Sequence, residues 1–380
     1  MTVLAYFEDL AIAVSDVLLS VKAPGRGIRI PTIGGTAVAN ADPPVRPTRL
    51  VRKFFTVKRP RSAGTFLVCG TVAHITRVTQ NVDGLVTGRI RPPEHLLRMF
   101  VPQSAASLVD VAARMTEEEG LDDFELLGAV DGEGYRRHFN RSVPRDLPYW
   151  GRVMVMGSGG PDLVDWLTAK GRAFEDAGLG ADDLGRKRSR VVNTVPSMLL
   201  EEDTRSTMKT LNKGVGGYYE CFDVCDTELV PFDRAITIFG RLKRASGRTT
   251  FELRRVFFHT YDEGNLIVGT LTDLPMDISP SEPLRVPSDS LEVFHVPPLG
   301  MRARPTWNAS RLASLMNSPR SMCLTTYRGP FDNSVQRFYE GESGRRLLVI
   351  KPSGEFLQMR IDESVLEYYL SRSDKTVPLD

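Results

Sequence analysis

Cysteine is scarce in this chain, with four in 380 residues: Cys69, Cys221, Cys225 and Cys323. Thiols this few and this scattered make no disulfide framework, so free thiols in a reducing cytoplasm are expected. Cys221 and Cys225 would share one face of a strand, but no histidine lies near them in sequence. A metal needs more ligands than that, so neither a metal nor a cofactor is expected. No apolar run is long enough to cross a bilayer. The N-terminus has no basic segment, and Glu8-Asp9 interrupts its apolar run, so no signal peptide is expected. The net charge is only +2, from 49 basic and 47 acidic residues. These are intermixed, which argues against nucleic acid or membrane as the partner. What remains, 41% hydrophobic and 25% charged residues, is the composition of a globular protein. The length suits one large domain or two ordinary ones.

The most informative stretch is Met1 to Asp16, MTVLAYFEDLAIAVSD. Two apolar runs, Val3 to Phe7 and Leu10 to Val14, flank the turn-like Glu8-Asp9, which predicts a β-hairpin at the terminus. Thr2 follows the initiator Met directly, so removal of Met1 would leave a free threonine amine. Hydroxyl and amine on one residue make a self-contained nucleophile and base. The plainer alternative is an apolar strand pinned into a sheet.

Further along, Leu50 to Val57 reads as a strand carrying Lys53, and Thr65 to Cys69 as a short strand closed by Gly70. Apolar spacing predicts helices over 71–82, from Glu94, and over 105–119. Phe124 to Val130 and Tyr135 to Phe139 form a predicted hairpin. Arg152 to Met156 is a strand running into Gly157-Ser158-Gly159-Gly160 and a helix over Pro161 to Ala177. A second helix is expected over Met198 to Leu211. Gly214 to Val224 is then a glycine turn and strand, followed by strands over 235–242, 249–260 and 265–272.

This order of elements predicts an α+β fold, a four-layer αββα sandwich over residues 1–272. Its motifs resemble the N-terminal-nucleophile hydrolases, and among them the proteasome β-subunit family. TVLAYFEDLAIAVSD is similar to that family's opening hairpin, which runs from its threonine to an aspartate. KFFTV resembles its Lys-x-x-x-aliphatic strand, and VCGTVAHI its glycine strand-to-helix turn. DFELLGAVDGEGYRRHF resembles the central hairpin, VMVMGSGGPDLVDWL the Gly-Ser-Gly turn and helix, and NKGVGGYYECFDV the late glycine turn.

The resemblance implies roles for particular residues. Thr2 would be the nucleophile, with its own α-amine as general base. Lys53 would lower the pKa of that amine and hydroxyl, and Asp16 would hold Lys53. The Gly70 N–H would form the oxyanion hole. Ser158 would orient the amine, and Val68 would line the pocket for the substrate side chain. It also implies a peptide or amide substrate, and a homo-oligomer or ring with partner subunits. The chain departs from the family where Asn212 and Val215 occupy positions that usually carry Asp and Ser. The hairpin is also two residues short. Gly35-Thr36 matches the family's propeptide cleavage pair, but Pro43-Pro44 leaves too little chain before Lys53 for a hairpin. Two functions are therefore in view: a threonine-type amide hydrolase, and a non-catalytic subunit that assembles or binds. Residues 273–305 are rich in proline and predict a linker or surface loop. Residues 306–380 predict a small α+β appendage with four strands and a helix N-capped by Asp362.

Overall fold

A computed structural model describes residues 2–21, 28–32, 46–58, 63–69, 125–130, 134–138, 143–205, 210–226, 228–245, 248–262, 264–272, 274, 276–278, 283–298, 321–327, 333–339, 348–364, 366 and 367. The expected helices over 71–82, from Glu94, and over 105–119 lie outside the described residues, as do Gly70 and Thr36.

The chain opens with the predicted hairpin. Strand β1 (Leu4–Phe7) pairs with β2 (Ile12–Asp16), with Leu4 opposite Ser15 and Phe7 opposite Ile12. A short 3-10 turn over Glu8–Leu10 joins them, closed by Ala11 in the left-handed region at φ 50°. Strands β3 (Leu18–Val21) and β4 (Arg46–Leu50) form a two-stranded ribbon. Next come β5 (Phe54–Lys58), β6 (Ala63–Cys69), β7 (Glu125–Val130) and β8 (Gly134–His138), an antiparallel sheet in sequence order. Strands β9 (Arg145–Leu147) and β10 (Gly151–Met156) lead into helices α1 (Gly160–Asp176) and α2 (Leu184–Arg205). Strands β11 (Tyr219–Val224) and β12 (Leu229–Pro231) complete an antiparallel six-stranded sheet, ordered β12-β11-β2-β1-β10-β9.

Alternation along β1 and β2 sets the layers. Ala5, Phe7, Ile12 and Val14 belong to one core with Leu163 and Leu167 of α1 and Val191, Val195 and Leu199 of α2. Leu4, Tyr6 and Ala13 belong to another, with Leu67 and Cys69 of β6 and Leu127 of β7. The helix pair, the six-stranded sheet and the four-stranded sheet are therefore stacked. Helix α1 begins as expected, with proline in its first turn and Asp162 at its positive end. Helix α2 starts well before the expected Met198. The helix includes Gly185 and Pro196, both poor helix formers, and burial of Val191, Val192, Val195 and Leu199 holds it through Pro196.

The rest of the chain builds a second pair of sheets. Strands β13 (Ala235–Ala245), β14 (Arg248–Asp262), β15 (Asn265–Leu271), β16 (Met276–Ile278) and β17 (Leu284–Pro287) are followed by β18 (Leu291–Val296). Then come β19 (Ser321–Tyr327), β20 (Asn333–Tyr339), β21 (Leu348–Ser353) and β22 (Phe356–Ile361). Seven of them form a sheet ordered β18-β15-β14-β13-β19-β20, with β16 beside β14, and β17-β22-β21 form a smaller one. One face of the large sheet, with Ile236, Phe251 and Ile267, packs on Val286, Leu357 and Met359 of the small sheet. The other face, with Phe257, Val268 and Val296, joins the core of α1 and α2.

Two expectations are corrected here. In the proline-rich 273–305 stretch, expected as a linker or surface loop, the described residues supply β16, β17 and β18. Pro287 is tolerated because β17 is an edge strand, where a missing N–H breaks no ladder bond. The strands after residue 306 are not a separate appendage either, since β19 pairs in parallel with β13 over Ala235 to Gly240. The Asp362 cap does form: its side chain accepts the Ser364 N–H at 3.0 Å, and its carbonyl accepts the Leu366 N–H at 3.1 Å.

Candidate functional site

The hairpin register brings the end of β2 back to the chain start. The Val3 N–H donates to Asp16 Oδ1 at 2.9 Å, and the Asp16 N–H returns to the Val3 carbonyl at 3.2 Å. Lys53 reaches the same carboxylate, donating from Nζ to Asp16 Oδ1. The Gly216 N–H donates to Oδ2 at 3.0 Å. Asp16 and Lys53 are both fully buried. A carboxylate with a cation and two amide donors is satisfied as an anion even without water. Burial pushes the Lys53 ammonium below the usual lysine range, and the neighbouring Asp16 partly restores it.

Lys53 is not inside a strand, as its sequence context suggested. The strand breaks after Leu50 and resumes at Phe54, and Lys53 occupies the bend between. Three partners hold the backbone there. The Val51 N–H donates to the Val17 carbonyl at 2.9 Å, and the Arg52 N–H to the Pro297 carbonyl at 2.8 Å. The Lys53 carbonyl accepts the Val68 N–H at 2.9 Å. The irregular bend lets two consecutive side chains serve different partners, Arg52 on Glu220 and Lys53 on Asp16.

Thr2 is buried against the glycine turn after β10. Its carbonyl accepts the Gly159 N–H at 3.2 Å. Gly157 has a φ of +89°, and a Cβ there would lie 2.3 Å from the Thr2 carbonyl oxygen and 2.8 Å from its Oγ1. Only glycine permits that approach. Ser158 is exposed on the turn, which reaches Thr2 through Gly157 and Gly159. Val68 is fully buried at the end of β6. Its neighbour Cys69 donates to Glu125 Oε2 at 3.5 Å. Burial and Glu125 push that thiol well above its usual range. Among the expected site residues, then, the structure brings Thr2, Asp16 and Lys53 into one buried corner. Val68 stands behind Lys53, and Ser158 stands outside in solvent.

Sequence reasoning missed a second buried carboxyl. Asp203, near the end of α2, accepts hydrogen bonds from Thr210 Oγ1 and, at 2.8 Å, from the Tyr219 hydroxyl. Gly216 separates it from Asp16. With φ +110°, Gly216 gives its N–H to Asp16, while a Cβ on it would sit 2.2 Å from Asp203 Oδ2. In sequence, Glu201-Glu202-Asp203 falls early in the helix expected over Met198 to Leu211, and three consecutive acids carry no local sign of burial. All three are buried. The one available signal was α2's apolar spacing continued to residue 203. Val215, noted at an expected Ser position, packs on Gly159. Asn212 lies on the 3-10 turn over Leu211–Lys213.

Burial raises the Asp203 carboxyl from 3.8 to about 8, with Thr210 and Tyr219 opposing the rise and Asp16 and Glu202 adding to it. Between those values the folded chain holds a proton that the unfolded chain has released. This contribution to stability is therefore complete below about 3.8 and is lost as pH rises toward about 8. For one proton the slope is at most about 1.4 kcal/mol per pH unit. Urea unfolding at pH 6, 7 and 8 should show the wild type weakening more steeply than Asp203→Asn. Equal slopes would contradict a neutral, buried Asp203.

Among the described residues no cluster of three or more His, Cys, Asp or Glu is arranged to hold a metal ion. Among them, too, no helix is long and apolar enough to cross a membrane. A scan against protein-family models finds no match for the chain, and a search of curated proteins finds none.

Proposed function

We propose that this chain is a divergent N-terminal-nucleophile hydrolase, similar to proteasome β-subunits, that cleaves a peptide or amide bond with Thr2. The observation that carries this reading is the buried Asp16 carboxylate, joined at once to the Lys53 ammonium and to the amide next to Thr2. The stacking of helix pair on sheet on sheet supports an αββα sandwich, of which it gives three layers among the described residues. Loss of Met1 would free the Thr2 amine. A buried amine close to the Lys53 cation would have a depressed pKa, since burial and like charge both disfavour its protonation. It would take the proton from Thr2 Oγ as Oγ adds to the carbonyl carbon, then pass it to the departing amine. Water would next hydrolyse the ester by the same base. Gly70 is the proposed oxyanion donor. In this reading the protein works in the cytoplasm as a homo-oligomer or with partner subunits, and uses no cofactor.

A second reading, a non-catalytic subunit kept for assembly or binding, is favoured by the exposed Ser158 and the apolar Val215. A β-lactone or epoxyketone separates the two. The hydrolase should take one adduct, mapped by peptide mass spectrometry to Thr2, and Thr2→Ala should lose it. A folded wild type that stays unlabelled at high reagent concentration sinks the hydrolase reading.

A further inference from the structure

Arg52, the residue before Lys53, is as deeply buried as Lys53, and its partners come from the second half of the chain. Its N–H donates to the Pro297 carbonyl, and Nη1 donates to the Gly264 carbonyl at 2.5 Å. Nε donates to Glu220 Oε1 at 2.7 Å, and the Tyr261 hydroxyl donates to the same oxygen at 3.1 Å. The guanidinium lies between two rings, 4.7 Å from the centroid of Phe54 and 4.6 Å from that of Tyr261. Its backbone also forms a parallel bridge to Pro298. Gly264 lies in the turn between β14 and β15, and Pro297-Pro298 follow β18, so three strands of the seven-stranded sheet converge on this one side chain. Glu220 lies opposite Ser15 on β2, one register position from the Tyr219–Asp16 pair.

From this geometry we propose that Arg52 is a positioning residue: the seven-stranded sheet grips it and thereby fixes the bend that delivers Lys53 to Asp16. The proposal rests on the hydrolase reading for its catalytic consequence, but not for its structural one. Besides Arg52, the bend is held by two backbone hydrogen bonds, from Val51 N–H to the Val17 carbonyl and from Val68 N–H to the Lys53 carbonyl. Lys53 belongs to no strand, and among the described residues its ammonium donates to the Asp16 carboxylate. A planar fork can donate to Glu220 Oε1 and to the Gly264 carbonyl together while lying against both rings, and an ammonium cannot. Releasing the fork removes the side-chain anchor and leaves the bend on its backbone hydrogen bonds, so it should open more often without unfolding either sheet.

Two readouts on the full-length chain test this. The first is acetylation of Lys53 by acetic anhydride, measured against exposed Lys213 in the same digest. Arg52→Lys should raise the Lys53 rate by about tenfold relative to Lys213 at unchanged circular dichroism. The second is the pH profile of β-lactone labelling at Thr2. Displacing the Lys53 charge should move its midpoint upward, whereas simple loss of folded protein scales all pH values alike. Glu220→Gln keeps shape and volume, and should give the same changes in smaller measure if Arg52→Lys does not fold. A folded variant with Lys53 still protected, or with an unmoved midpoint, overturns the proposal. A wild type that does not label overturns the hydrolase reading instead, and Lys53 protection then decides the role of Arg52 alone.

Discussion

Replacing Lys53 with methionine should destabilise the protein by about 3–5 kcal/mol, because it leaves the Asp16 carboxylate buried without its cation. The methionine fills most of the space, so cavity formation is a minor part of the loss. Asp16 keeps the Val3 and Gly216 amides, but two neutral donors do not replace a charge in a site without solvent. The double variant Lys53→Met with Asp16→Asn should recover much of the loss, since neither partner then carries an unpaired charge. A double-mutant cycle by urea unfolding at pH 7 measures this coupling. A cycle that is additive within about 0.5 kcal/mol would mean that the pair is not coupled. On the hydrolase reading, Lys53→Met should also lose most labelling at Thr2.

The second large effect is expected at Gly157, where alanine incurs two separable costs. Its φ of +89° is unfavourable for any L side chain, and the new Cβ would fall 2.3 Å from the Thr2 carbonyl oxygen. Gly178 provides the control, because its φ is +78° with nothing within 4 Å of a Cβ. Gly178→Ala should cost about 1 kcal/mol from backbone strain alone. Gly157→Ala should cost roughly 2–3 kcal/mol, and Thr2 should move to relieve the overlap. A reacting group misplaced by about 1 Å loses on the order of a hundredfold in rate. Labelling of Thr2 in folded Gly157→Ala should fall by that order and stay at the wild-type level in Gly178→Ala. Equal labelling in the two variants would show that the turn does not position Thr2.

The parts of this fold legible in the sequence are those written in local signals. The terminal hairpin shows in two apolar runs split by Glu8-Asp9, and the helix after Gly157 shows in its glycine turn and Pro161. The pairing of Asp16 with Lys53 came only from the resemblance to the N-terminal-nucleophile hydrolases; the structure has that contact, but a strand-end carboxylate and a lysine in an apolar stretch do not by themselves name each other as partners. What local signals cannot carry is tertiary burial. Pro196 and Gly185 argue for breaks in α2, yet the valines beside them are covered by the six-stranded sheet and the helix persists. Prolines likewise made residues 273–305 look like a linker, although Pro287 sits harmlessly on an edge strand. Asp203 carried no local signal of its partners, because Thr210, Tyr219 and Gly216 meet it only when the chain folds back after the helix. Arg52 is similar, with every partner on its guanidinium except Phe54 lying more than 160 residues away.

The central claim, that Thr2 is the nucleophile, is tested most directly by the intact mass of the purified full-length chain before and after treatment with a β-lactone. The account predicts a chain without Met1 that gains a single adduct, located on Thr2. A chain that keeps Met1 quantitatively and gains no adduct would contradict it, since Thr2 would then have no free amine to act as base.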